Sequence, residues 1–153
     1  MAKPILMVAL RDLESAEGLM TLAIPLAKSM NAQLVALHVV EVPAATPLDA
    51  QEEVLDHAGK QILEAATRQA ERASVKLSTL LLRAREVGEA IVGEAKDQGV
   101  ELLIVGHRGA HPTALGELLL GSTAHYVARH APCRVIIQIP APKPRQVDHD
   151  LDE

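Results

Sequence analysis

Five short apolar runs alternate with four longer segments of helical period, and that rhythm limits the chain to very few architectures. Ile5 to Leu10 is continuously apolar, as expected of a central parallel strand buried on both faces, and Ser15 reads as the N-cap of a helix ending near Met30. Gln33 to Val40 has the same buried-strand composition and leads into a Pro-bearing loop from Glu41 to Asp49. Within it, Thr46, Pro47 and Asp49 have the spacing of a capping box, which predicts a helix from there to about Ala73. Lys76 to Arg83 reads as a third strand, Glu86 to Gln98 as a helix closed by Gly99, and Leu102 to Val105 as a fourth strand ended by Gly106. A last helix opens at Gly121-Ser122-Thr123 and is stopped by Pro132, and Arg134 to Ile139 forms a fifth strand. The pattern predicts a doubly wound α/β fold: a single open five-stranded, mostly parallel sheet with helices on both faces.

With 153 residues the chain is long enough for one domain to bury roughly 70% of its unfolded surface without disulfides or a structural metal. We read 1–139 as that domain and 140–153, Pro-rich and then acidic, as a disordered tail. No Phe or Trp is present and Tyr126 is the only aromatic, so the core must be aliphatic and no platform exists for stacking nucleic-acid bases. A net charge of −5 points the same way, because phosphate-backbone binding relies on a basic face. Cys133 is the only cysteine, which removes intramolecular disulfides. The apolar N-terminal run is too short for a signal peptide or a span, so a cytoplasmic protein without direct membrane insertion is expected.

In a doubly wound sheet, ligands sit beyond the carboxyl ends of the strands where the strand order reverses. If the first strand is central, Leu10, Arg11 and Asp12 face Gly106 and the residues after it. Gly106-His107-Arg108-Gly109, then Gly121-Ser122-Thr123 at a helix start, combine close backbone approach with exposed N–H donors and hydroxyls, the chemistry of phosphate binding. The spacing matches neither a Walker loop nor a dinucleotide fingerprint. The residues leave two readings open: a phosphate cradle, or glycines that only turn the chain while Ser122 caps the helix. Arg11, Arg83, Arg85, His107 and Arg108 fall at the same end and would welcome an anion, although Asp12, Glu41 and Glu86 share that rim.

Other chemistries fit poorly. His107 and His111 lie in a loop and no third ligand converges on them, so no protein-held metal is expected; His38, inside an apolar strand, reads as a satisfied core residue. There is no Gly-x-Ser-x-Gly elbow for a hydrolase, no acidic cluster for a phosphoacceptor domain, and no aromatic set for a flavin.

The residues Ile5-Leu-Met-Val-Ala-Leu10, Leu34-Val-Ala-Leu-His-Val-Val40, Leu102-Leu-Ile-Val-Gly-His-Arg-Gly109, Leu118-Leu-Leu-Gly-Ser122 and Ala131-Pro-Cys-Arg-Val-Ile-Ile137 together resemble the universal stress protein family, over Lys3 to about Ile139. Val39 to Pro43, followed by Thr46 to Leu48, is similar to members associated with amino-acid permeases and cation antiporters. The resemblance implies an adenine nucleotide alpha hydrolase-like fold and a homodimer joined through the last strand, Arg134 to Ile139. It also implies ATP or AMP held by Gly106, Arg108, Gly109, Gly121, Ser122 and Thr123, with the main chain near Val39 and Val40 at the adenine edge. No metal is expected beyond Mg carried by the nucleotide, and because no general base is positioned for fast turnover, any ATP hydrolysis is expected to be slow and incidental. Two departures stand out. Ala110 to Leu120 makes the glycine gap eleven, two longer than the family motif, and Leu10 occupies the position of a nucleotide-holding Asp, with Asp12 two residues later as the substitute. If no nucleotide is bound, the family alternative is a dimeric interaction module acting on a transporter or another signalling partner.

Overall fold

The computed structural model describes residues 2–49, 53–107 and 120–140. Its elements are β1 (Ile5–Ala9), α1 (Leu13–Met30), β2 (Gln33–Glu41), α2 (Glu53–Arg72), β3 (Leu77–Ala84), α3 (Val87–Gln98), β4 (Leu102–Gly106), α4 (Ser122–His130) and β5 (Arg134–Gln138). The strands form one sheet in the order β3-β2-β1-β4-β5, and every pairing is parallel. The chain winds outward from β1 through β2 to β3, crosses back over β1 to β4, and finishes at β5. The reversal lies between β1 and β4, which is the doubly wound α/β fold expected from the alternation.

The pleat of the strands divides an aliphatic core into two layers. Leu6, Val8, Leu34 and Ala36 face one side, where α1 supplies Leu19, Met20, Ala23 and Ile24 and α2 supplies Ile62, Leu63, Ala66 and Ala70. Met7, Val35, Leu37, Leu103 and Val105 face the other, against Ile91 and Ala95 of α3 and Val127 of α4. Small helix residues let the helices approach closely enough to fill an interior without aromatic rings. Tyr126 follows the same logic. It packs against Gly88, where a Cβ would stand only 3.0 Å from the tyrosine's own Cβ.

Two expected helix starts are displaced. Asp12, not Ser15, caps α1: its carboxylate accepts from the Ser15 N–H at 2.8 Å and from the Ser15 hydroxyl at 2.7 Å. A carboxylate is a strong acceptor and its negative charge suits the positive helix end, so it displaces the serine by three residues. The helix predicted from Thr46 is absent there, and residues 44–49 form turns instead. Thr46 donates its N–H to the Pro43 carbonyl at 2.9 Å, while its own carbonyl accepts from the Arg85 guanidinium at 2.6 Å. Arg85 thereby occupies an acceptor that the first helical turn would have used. Gly99 closes α3 as expected, at φ 65, a conformation that glycine adopts without strain. The tail from 141 to 153 lies outside the described residues.

Candidate functional site

Two loops meet at the reversal of strand order. After β1, Leu10 donates its N–H to the Leu37 carbonyl at 2.8 Å and is 2% exposed, so this position belongs to the core and not to the solvent-facing rim. Arg11 lies 3.6 Å from the Asp12 carboxylate, and Asp12 is engaged as the cap of α1. After β4, the His107 N–H donates to the Gln138 carbonyl at 3.0 Å and extends the β4–β5 ladder by one residue. Of the expected binding residues, Arg108 and Gly109 lie outside the described residues, as do His111, Pro112 and Gly116.

The two described glycines of the loop differ in what the fold asks of them. Gly106 sits in β4 against α1, where a Cβ would come within 3.2 Å of Leu19 Cδ1, so close packing accounts for it. Gly121 is the N-cap of α4 with φ −60 and ψ 159, a backbone any residue adopts, and no described atom lies within 4 Å of the place its Cβ would take. Among the described residues, neither conformation nor packing demands a glycine there. It also offers no side-chain cap to the first turn of α4, whose Ser122 is exposed and Thr123 half-buried. Because α4 leads into β5, that uncapped helix start lies at the carboxyl end of the sheet, beside the end of β4. Its N–H groups and partial positive charge suit an anion.

β2 outlasts β1 at this end. Its last β1 partner is Leu37, opposite Ala9, whereas His38 to Glu41 continue beside β3. Main-chain groups alternate in direction along a parallel strand. The Leu37 carbonyl points toward β1 and the Val42 N–H toward the Ala84 carbonyl of β3, so Val40 turns its main chain to β3 and Val39 turns its own toward the crevice. Of these two neighbours, Val39 is the one placed to meet a ligand edge.

The expected cationic rim is thinner than the sequence suggested. Arg83 is half-buried and forms a two-pronged ion pair with Asp56 of α2, with Nε 3.2 Å from the carboxylate. Arg85 donates to the carbonyls of Pro43 and Thr46. Both arginines tie the end of β3 to α2 and to the segment before it, which removes them as anion receptors. A hollow of about 350 Å³ at the ends of β2 and β3, lined by Glu41, Val42, Pro43, Ala44, Arg85 and Glu86, carries two carboxylates and lies one strand away from the reversal. It suits a phosphate poorly. Cys133, half-buried before β5, has its thiol pushed above its ordinary value by burial, only partly opposed by a hydrogen bond with the Leu103 main chain, the reverse of what a nucleophile needs.

Sequence reasoning missed three links: the Asp12 cap, the Arg83–Asp56 pair, and the hydrogen bond from His38 Nδ1 to the Leu10 carbonyl at 2.7 Å. Only the first carried a local signal, the Asp12-Leu-Glu-Ser15 spacing. Among the described residues, no helix is long and apolar enough to cross a membrane, and no three His, Cys, Asp or Glu side chains stand together as metal ligands.

Comparison with known proteins adds to this geometry. The model of the universal stress protein family matches residues 1–138. A universal stress protein of Methanocaldococcus jannaschii is 32% identical over 121 residues, covering 75% of this chain and 69% of its own. Another from Bacillus subtilis is 29% identical over 145 residues, covering 86% and 96%. Among solved structures, a universal stress protein in complex with cAMP superposes with a TM-score of 0.70 at 22% identity, over 92% of this chain and all of that one. An Arabidopsis thaliana universal stress protein family protein with AMP bound superposes with a TM-score of 0.67 at 19% identity, over 98% and 99%.

Proposed function

Because the chain belongs to the universal stress protein family, we propose that it is a regulatory module which binds an adenine nucleotide, ATP or AMP, where β1 and β4 diverge, and which signals through a homodimer. The observation that carries this reading is Gly121. Among the described residues neither conformation nor packing calls for a glycine at that place, while a main chain bare of a side chain there leaves the N–H groups at the first turn of α4 open to phosphate oxygens. Val39 turns a main-chain donor and acceptor toward the β1 side of β2, where they are available to the base. The structures of family members with AMP and with cAMP support the same ligand class. Binding, not turnover, is the proposed activity: Asp12 is engaged in capping, and burial pushes the Cys133 thiol above its ordinary value, away from nucleophile chemistry.

The test is to denature freshly purified protein, identify any released nucleotide by chromatography and mass, and titrate the emptied protein with AMP and ATP by calorimetry. Near-stoichiometric adenine nucleotide or micromolar binding is expected. A protein that is empty and takes up neither nucleotide would favour the second reading, a nucleotide-free module that regulates a transporter or another partner. Leu10, buried where the family resemblance places a nucleotide-holding Asp, is the observation on that side.

The proposed dimer uses β5. This strand pairs only with β4 among the described residues, and its other edge carries main-chain groups outside any ladder, beside partly exposed Val135 and Ile137, with Ile139 46% exposed just beyond. The Gln138 carbonyl is bonded toward β4, so alternation turns the N–H of Ile137 to the open edge. Ile137→Pro therefore removes an edge donor while leaving the β4–β5 ladder its own bonds. Light scattering should show a wild-type dimer and a monomeric variant with unchanged circular dichroism; a variant still dimeric would place the interface elsewhere.

A further inference from the structure

We infer that His38 is a positioning residue that ends the β1–β2 ladder one bond early and so gives the crevice its preference for adenine, an inference that rests on the nucleotide site proposed above. In a parallel ladder that continued past Leu37, the Leu10 carbonyl would accept the Val39 N–H, since the Leu10 N–H already donates to the Leu37 carbonyl at 2.8 Å. That carbonyl accepts instead from His38 Nδ1 at 2.7 Å. A carbonyl can only accept, so Nδ1 carries the proton. The ring is 9% exposed and closely held: at Gly59 of α2 a Cβ would lie 2.7 Å from His38 Cδ2 and 2.8 Å from Leu81 Cδ1. The absence of a side chain at Gly59 makes room for the ring, and the ring takes the Leu10 carbonyl out of the ladder.

The consequence falls on Val39. Its N–H and C=O point toward β1 just where β1 leaves the sheet for Arg11 and Asp12. Adenine presents a ring-nitrogen acceptor beside an amino donor on one edge, which complements a main-chain N–H followed by a C=O. Guanine presents a ring N–H and a carbonyl oxygen at the same two places, so it sets donor against donor and acceptor against acceptor on that pair. His38 touches no ligand in this scheme; it keeps the reading pair available.

Amide hydrogen exchange on the ligand-free protein tests the device directly. In the wild type the Val39 N–H should exchange at least about tenfold faster than the Val40 N–H, which faces β3. In His38→Leu, Val39 should become as protected as Val40, because the Leu10 carbonyl is returned to the ladder; His38→Asn, whose amide can donate near the Nδ1 position, should restore the fast exchange. Equal protection of Val39 and Val40 in the wild type overturns the inference, as does a Val39 rate that the leucine variant leaves unchanged. Calorimetry then separates the two claims. AMP affinity should fall about tenfold in His38→Leu and return in His38→Asn, with preference for AMP over GMP reduced in parallel. A wild type that binds no AMP but shows the exchange difference refutes the nucleotide reading alone, and a leucine variant with unaltered AMP affinity and AMP-over-GMP preference refutes His38 as a specificity device.

Discussion

Gly121→Val is expected to cost at least about a hundredfold in AMP or ATP affinity while changing the melting temperature by no more than a few degrees. The two halves of that expectation have separate causes. For the fold, Gly121 sits at φ −60 and ψ 159 with no described atom within 4 Å of the place a β-carbon would take, so valine meets neither strain nor clash, and losing a glycine N-cap costs about 1 kcal/mol or less. For the ligand, a phosphate drawn to the Ser122 and Thr123 N–H groups would meet the bulk that valine adds at the N-cap, and a phosphate displaced from them forfeits charge-assisted hydrogen bonds. Calorimetric titration and a thermal melt, run on the same preparation, decide the matter. Unchanged affinity would remove the site from the start of α4. Loss of binding together with a collapse in stability would make Gly121 a structural residue.

Leu37→Ala should lower stability by about 3 to 4 kcal/mol, a large part of the roughly 5–15 kcal/mol that holds a typical domain together. Leu37 is 0% exposed at the middle of the sheet, opposite Ala9 of β1 and Leu80 of β3, and packs into the layer beneath α3 and α4. The layer around it is built mainly of Val, Ile, Leu and Ala on strands and helices, with Met7 the one long flexible side chain among its buried residues, so most of the cavity should persist. Urea unfolding of both proteins measures the difference. A loss below about 1 kcal/mol would show that this layer collapses around the missing atoms. The Leu37 carbonyl also receives the Leu10 N–H, and that bond involves the main chain alone, so ligand binding by the folded variant should suffer far less than its stability.

The doubly wound class was legible because the signals that announce it are local, whereas the order β3-β2-β1-β4-β5 was given only on the condition that the first strand is central. Apolar runs bounded by Gly and Pro announce buried strands, helical period between them announces crossovers, and right-handed crossovers between parallel strands leave few sheets to choose from. Gly99 was legible for the same reason, since the αL turn that ends α3 needs that residue whatever surrounds it. The start of α2 was not. Thr46-Pro47-Leu48-Asp49 carries every local sign of a helix, yet Arg85, 39 residues further along, takes the Thr46 carbonyl. The cationic rim was thinned in the same manner: Arg83 and Arg85 stand at strand ends as expected, but Asp56 and two main-chain carbonyls already hold them.

The sequence by itself determined the doubly wound sheet, its aliphatic core and the family, because periodicity, composition and turn chemistry act between near neighbours. Only the tertiary structure decided which polar groups at that end are spent and which face the crevice. His38 reaches across 28 positions to Leu10, Arg83 across 27 to Asp56, and Val39 differs from Val40 only through the strands that flank β2. Hydrogen bonds and ion pairs are short-ranged and directional, so their partners are chosen by distances in space that no spacing along the chain reveals.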